Sequence, residues 1–430
     1  MEIPRLFASS PKASHAVVAC NEEGDIYVVW SGRDAVTNLT QVEGAFLRRQ
    51  NNDRWQLFDT QVLASGLASG GHCINPDVIA VDEDFVVAWT WMNPNSIVDG
   101  EIRCAFVEVS DQNNVEFFPA NQQGYTLADM NPRLCNGMVD LAVNEREEIV
   151  ASYVSFSGNG TGAANYNFSV EAVVFEFNGS STVGPPQKSA SQELLRAIPF
   201  DEIFAGENTV GRVLPDIVFE KRDKLVLACE AFLDADRAGI SARQSAIHLS
   251  SYKLKNQDLT LEKTILVSST GISAGSTKIQ QRPALVKQGR NKMLLTWVEH
   301  KGNADSNQGV ASFASTVELT NSGFTLAPAQ LDSIDPRKTR EYVVPMQYEG
   351  PSNPDNYAVR SVRDKQGNRV QKLHLTQGAS WEDIVGLTPA NPWRPAVDAY
   401  LDSNPFGVIS VEGRDTQSTE MYQRIYLLVE

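Results

Sequence analysis

An all-β fold is predicted by three features of this 430-residue sequence. The first is the character of its apolar segments. They are short, rich in β-branched and aromatic residues, and bounded by acidic or glycine-bearing turns, which suits strands and is too short for helices. The second is repetition, because one strand–turn–strand pattern returns seven times. The third is an imbalance at the ends: the last copy has one strand too few, and the N-terminus has one too many.

The pattern is clearest at Asn75–Trp91, NPDVIAVDEDFVVAWTW. Val78–Val81 and Phe85–Trp89 read as paired strands buried on both faces, joined by a tight turn at Asp82–Asp84. His15–Trp30, Val139–Tyr153, Leu214–Glu230, Arg282–Glu299 and Arg394–Glu412 repeat it. A weaker copy begins at Arg340 and resumes at Tyr357–Val362. The copies recur every roughly 55–75 residues, a signal for a solenoid or a propeller.

Further strands follow each copy. Glu43–Arg48 and Trp55–Ala64 complete the first unit, and Glu101–Val109 with a strand near Gly124–Leu127 completes the second. After Val170–Phe177 a long insertion runs over about residues 180–212, with a weak helical pattern at Ser191–Phe200. The final unit ends on its third strand, Met421–Val429, while Ile3–Ser9 is a lone strand with no partner before it. Placing Ile3–Ser9 beside Met421–Val429 closes a ring and removes the unpaired edge of an open array. The expected architecture is a seven-bladed β-propeller of four-stranded blades, a single domain over residues 1–430. Two β-sandwiches would explain neither the shared pattern nor the displaced strand.

Composition bounds the function. A net charge of −16 argues against nucleic acid and against an anionic membrane surface. The five cysteines are widely spaced without a CxxC, so neither a disulfide framework nor a zinc site is expected; Cys20 and Cys229 read as buried thiols. The histidines show no ligand spacing, and no phosphate-binding or dinucleotide loop occurs, so no metal and no cofactor are expected. The start, MEIPRLF, lacks the form of a signal peptide, and no run is long enough for membrane insertion. A cytoplasmic protein, or a component of a virion or surface assembly, is therefore expected. Trp30, Trp89 and Trp297 share one repeat position and read as packing between blades; Trp91 is expected nearer the surface.

Asn75–Trp89 with Gly100–Phe106 resembles the β-propeller repeats of large bacterial extracellular proteins. That family is defined by its fold, and the resemblance implies no single activity. Sialidases also use a propeller, of six blades, but their S-x-D-x-G-x-x-W motif is absent.

One constellation stands out. Aligning the copies puts His15, Asn75, Met138, Leu214, Arg282, Arg340 and Arg394 where the chain leads into each innermost strand. In a closed ring Arg282, Arg340, Arg394, His15 and Asn75 form a polar arc at the channel mouth, with Met138 and Leu214 as its apolar remainder. Converging guanidinium groups grip carboxylate, sulfate or phosphate. The alternative is that each arginine pairs with a nearby acid, among Glu230, Glu299, Glu341, Asp398 and Glu412. No catalytic motif is visible. The expected function is a non-enzymatic recognition or assembly module for an acidic glycan or a protein partner, acting within a larger assembly. A sialidase-like hydrolase is the alternative, with Tyr342 and Glu230 or Glu299 cast as nucleophile and base.

Overall fold

The structure, a computed structural model, describes residues 14–34, 36–50, 55–95, 99–110, 115–129, 134–157, 167–177, 185–195, 198–199, 209–233, 244–267, 278–287, 291–301, 310–328, 330–335, 342–347, 356–363, 369–375, 382–383, 393–400, 406–414 and 421–428. The described residues are almost entirely strand. β1 (Ser14–Cys20), β2 (Ile26–Arg33), β3 (Thr40–Arg49) and β4 (Trp55–Ala64) form an antiparallel meander. A one-turn helix, α1 (Gly66–Ser69), leads to β5 (His72–Val81), β6 (Asp84–Met92) and β7 (Gly100–Val109). The outer edge of β7 is shared by β8 (Val115–Phe118) and β9 (Tyr125–Ala128).

The same order returns in β10 (Leu134–Val143), β11 (Ile149–Ser157) and β12 (Asn167–Glu176). Short strands β13 (Gln187–Lys188), β14 (Gln192–Leu195) and β15 (Ile198–Pro199) follow. The next meander is β16 (Thr209–Lys221), β17 (Lys224–Leu233), β18 (Gln244–Lys255) and β19 (Asp258–Leu266). Then come β20 (Lys278–Lys287), β21 (Lys292–Lys301) and β22 (Val310–Thr320), with β23 (Gly323–Leu326) and β24 (Gln330–Asp335) along the edge of β22. β25 (Tyr342–Gln347) precedes β26 (Asn356–Arg363), β27 (Arg369–Leu375) and β28 (Glu382–Asp383). β29 (Trp393–Tyr400), β30 (Phe406–Arg414) and β31 (Met421–Leu428) form the last sheet. Among the described residues that sheet has three strands, and Ile3–Ser9, expected to complete it, lies outside them.

The chain divides into two compact units, Met1–Asp129 with Glu176–Lys188 and Met346–Glu430, and Met130–Phe175 with Ser189–Pro345. In each, successive sheets pack face to face. Alternate residues of β17 show the principle. Leu225, Leu227 and Cys229 pack with Val150, Ala172 and Val174 of the preceding sheet. Val226 and Ala228 pack with Leu285, Leu295 and Trp297 of the following one. A strand covered on both sides needs no polar alternation, so it reads as a continuous apolar run. The first strand of each pair is different: the burial of β5 alternates, so the expectation that it is buried on both faces holds for β6 alone. In the other unit Tyr27, Val29 and Phe46 pack with Phe85, Val87 and Trp89, and the Tyr27 and Phe85 rings stack at 5.2 Å.

Turn chemistry follows the strands. Asn256 and Gln257 both have positive φ and form the two-residue turn between β18 and β19, whose twist matches the flanking strands. The weak helical pattern at Ser191–Phe200 is overruled. Gln192–Leu195 is instead a strand on the free edge of β12, and Ile198–Pro199 pairs with β16. The edge supplies a ladder of hydrogen bonds, and the Gln192 side chain adds two more, from its amide to the Gln257 carbonyl and from Leu259 N–H to its Oε1. Local helix propensity is a weak preference beside such pairing.

Candidate binding site at the inner-strand bulges

Six first strands pair with their second strands through a ladder that skips at an equivalent place, and β16 skips a second time, between Phe219 and Lys221. The register shifts fall between Ser14 and Val17, Ile74 and Asp77, Gly137 and Asp140, Val213 and Asp216, Gln281 and Ala284, and Trp393 and Pro395. The bulged residues are therefore His15–Ala16, Asn75–Pro76, Met138–Val139, Leu214–Pro215, Arg282–Pro283 and Arg394. Proline has no N–H for the ladder, so a bulge is where a strand tolerates it, and the prolines in three of these pairs, with Pro395 directly after Arg394, mark the place. The second-strand residues facing the first five bulges are Trp30, Trp89, Tyr153, Cys229 and Trp297, all buried. The tryptophans are core packing, as their shared position suggests.

The bulges correct one expectation. His15, Asn75, Arg282 and Arg394 share one register, but they lie within the first strands rather than in the connections leading into them. The hairpins extend upstream: His72 already pairs with Met92, and Lys278 with Lys301. Asn75 and Met138 are left-handed, with φ of 50° and 57°, and the Met138 side chain is 42% exposed. Asparagine tolerates that conformation; a long unbranched side chain holds it at a cost of about 1–2 kcal/mol, offset by the surrounding sheet.

In one unit β1 packs beside both β5 and β29, so the strands that carry His15, Asn75 and Arg394 are neighbours, each residue at the bulge of its own hairpin. In the other, β16 packs beside β10 and β20, which aligns Met138, Leu214 and Arg282. Arg340 lies outside the described residues. Glu230, suggested as a partner or a catalytic base, is 1% exposed at the rung opposite Val213, and so presents no open carboxylate.

Two residues that the sequence reading missed complete the geometry. Asp140 Oδ2 accepts the backbone N–H of Ile217 at 2.7 Å, and Asp216 Oδ2 accepts that of Leu285 at 3.3 Å. Each carboxylate sits two residues past the bulge position of one inner strand and ties it to the next. The signal was legible in the recurring Asn-Pro-Asp, Met-Val-Asp and Leu-Pro-Asp triplets.

The opposite end of the hairpins is held differently. Asn21 Nδ2 donates to the Glu83 carbonyl, and Asn144 Nδ2 to the Arg222 carbonyl, each at 2.6 Å, joining successive β-turns. Beside Asn21 a polar cavity of about 310 Å³ is lined by Glu23, Asp25, Arg48, Arg49, Glu83 and Val109. Arg48 is held over the Phe46 ring and bonded to Asp25 at 3.0 Å. Burial, reinforced by Glu108, Glu83 and Asp82, raises the Asp84 carboxyl to about 6, although the Val109 N–H it accepts pulls the other way. Trp91, expected near the surface, is half-buried beneath the Arg103 guanidinium, 4.5 Å from its ring centroid. Cys229 is buried as expected, whereas Cys20 is half-buried. Among the described residues no helix is long and apolar enough to cross a membrane.

No protein-family model and no curated protein matches the chain. Solved structures do. One is a protein of unknown function from Dyadobacter fermentans, 9% identical, with a TM-score of 0.53 over 99% of this chain and 97% of that one. Another is the BP39L lectin of Burkholderia pseudomallei, 12% identical, with a TM-score of 0.51 over 97% of both chains. At these identities the likeness concerns the fold, which is that of β-propeller proteins.

Proposed function

We propose that the chain is a non-enzymatic recognition module that binds an oxyanion-bearing glycan at the inner-strand bulges, with Arg282, Arg340, Arg394, His15 and Asn75 as its polar contacts. The observation that supports this reading is the shared bulge position of His15, Asn75 and Arg394 in hairpins whose first strands pack side by side. This reading takes residues 1–430 as one seven-bladed propeller closed by Ile3–Ser9, with the inner strands around a central channel. Bulges re-aim side chains out of the ladder, which suits them to line such a channel. A propeller does not dictate its function, but a protein named a lectin has this fold, so glycans are the first class to test.

The test is a thermal-shift screen of sulfate, phosphate, uronic acids and sialic acid against the wild type and an Arg282→Ala/Arg394→Ala variant. A ligand at about a hundred times its Kd stabilises by about 2.7 kcal/mol, so a real site gives a clear shift that the variant loses. An equal shift in both proteins, or none with any anion, refutes the site. Release of free sugar from an acidic glycan would instead establish a hydrolase.

A further inference from the structure

The bulges divide into two kinds. Asn75-Pro76-Asp77, Met138-Val139-Asp140 and Leu214-Pro215-Asp216 combine a neutral bulge residue with an aspartate two positions later. Arg282-Pro283-Ala284, Arg394-Pro395-Ala396 and His15-Ala16-Val17 combine a basic residue with alanine or valine. Among the six described bulges, base and acid do not coincide. The acid has a structural duty: Asp140 and Asp216 each accept the amide three residues past the next bulge residue, Ile217 and Leu285. The amide at the same register on β1 is Val18, which pairs with Val28 as Ile217 pairs with Leu227. β1 packs beside β29, and the β29 residue two positions past the bulge, where Asp140 and Asp216 stand on their strands, is Ala396, which has no side-chain oxygen.

Resting on the anion-site reading above, we propose that a bound oxyanion is the missing staple of the β29–β1 seam. Held where the backbone brings Arg394 and His15 to one register, it does for the Val18 amide what Asp140 does for Ile217. The ligand class is a carboxylate or sulfate group small enough to lie between two inner strands, as on a uronic acid or a sulfated sugar. Cationic side chains without a carboxylate two residues away favour such a group, and charge-assisted bonds to it are the strong kind. Binding and closure of this seam are then one event: an acid built into the chain would occupy the site and exclude the ligand.

The experiment is hydrogen exchange at the Val18 and Ile217 amides of the full chain, with and without sulfate or glucuronate, alongside calorimetric titration. In the wild type a saturating anion slows exchange at Val18 about tenfold or more and leaves Ile217 unchanged. Ala396→Asp protects Val18 without ligand and abolishes the response. Should that variant not fold, Arg394→Gln serves, losing ligand protection at Val18 with Ile217 exchange intact. Heat of binding without any change at Val18, or an Ala396→Asp variant that still binds, overturns the staple and leaves the anion site standing. No heat with either anion overturns both.

Discussion

The two compact units solve the same packing problem with different side chains. In the unit built on β10, β16 and β20, inner strands are tied at the bulge by Asp140 and Asp216. In the unit containing β29, β1 and β5, the equivalent positions are Ala396, Val17 and Asp77, so the aspartate is missing at the first two. At the turn end the units agree, for Asn21 and Asn144 make the same clasp. The packing core agrees too, with Trp89 in one and Trp297 in the other. On the proposed function, the positions that differ against so uniform a background are where recognition chemistry is free to vary, and what is shared carries stability.

The comparison can be broken at several depths. The largest effect belongs to the shared core: Trp89→Ala and Trp297→Ala should each cost about 3–5 kcal/mol by denaturant unfolding. A much smaller loss at either would mean that the units are not built alike. Next is the difference itself. Asp216→Ala should cost about 1–3 kcal/mol by leaving the Leu285 amide unanswered, whereas Val17→Ala, at the matching position, removes no hydrogen bond and should cost less. Equal costs would erase the distinction. The turn clasp comes third: Asn21→Ala and Asn144→Ala should lose similar amounts, about 1–2 kcal/mol each, as for other capping side chains.

The smallest effect is a pH slope. Asp84 has its carboxyl raised to about 6 in the fold, so between the ordinary aspartate value and that point the folded state holds the proton more firmly than the unfolded chain. Stability from this group therefore rises as pH falls through that window. Asp84→Asn, which keeps an acceptor for Val109 N–H, should flatten the slope; an unchanged slope would assign it to other carboxylates.

Much of the fold was legible because the repeat is carried by apolar runs. A second strand such as β6 or β17, covered on both faces, shows a continuous hydrophobic signature. Alignment of the copies also singled out His15, Asn75, Arg282 and Arg394, and each lies at the bulge of its own hairpin, inside the strand rather than in the connection before it. It could not show that the register was a bulge, because strand length upstream depends on pairing with the far end of the second strand. Asp140 and Asp216 escaped notice for a related reason: their partners are backbone amides some seventy residues away, and a backbone amide has no sequence identity to recognise. The strand at Gln192–Leu195 was misread because the edge of β12 decides its conformation, not its own composition.

The most direct test of the central claim is an experimental structure of the chain with glucuronate or sulfate bound. The account predicts the anion at the β29–β1 seam, between Arg394 and His15 and within hydrogen-bond reach of the Val18 amide. An anion found at the turn end beside Arg48 and Arg49, with the bulge arginines paired to the chain's own carboxylates, would contradict it.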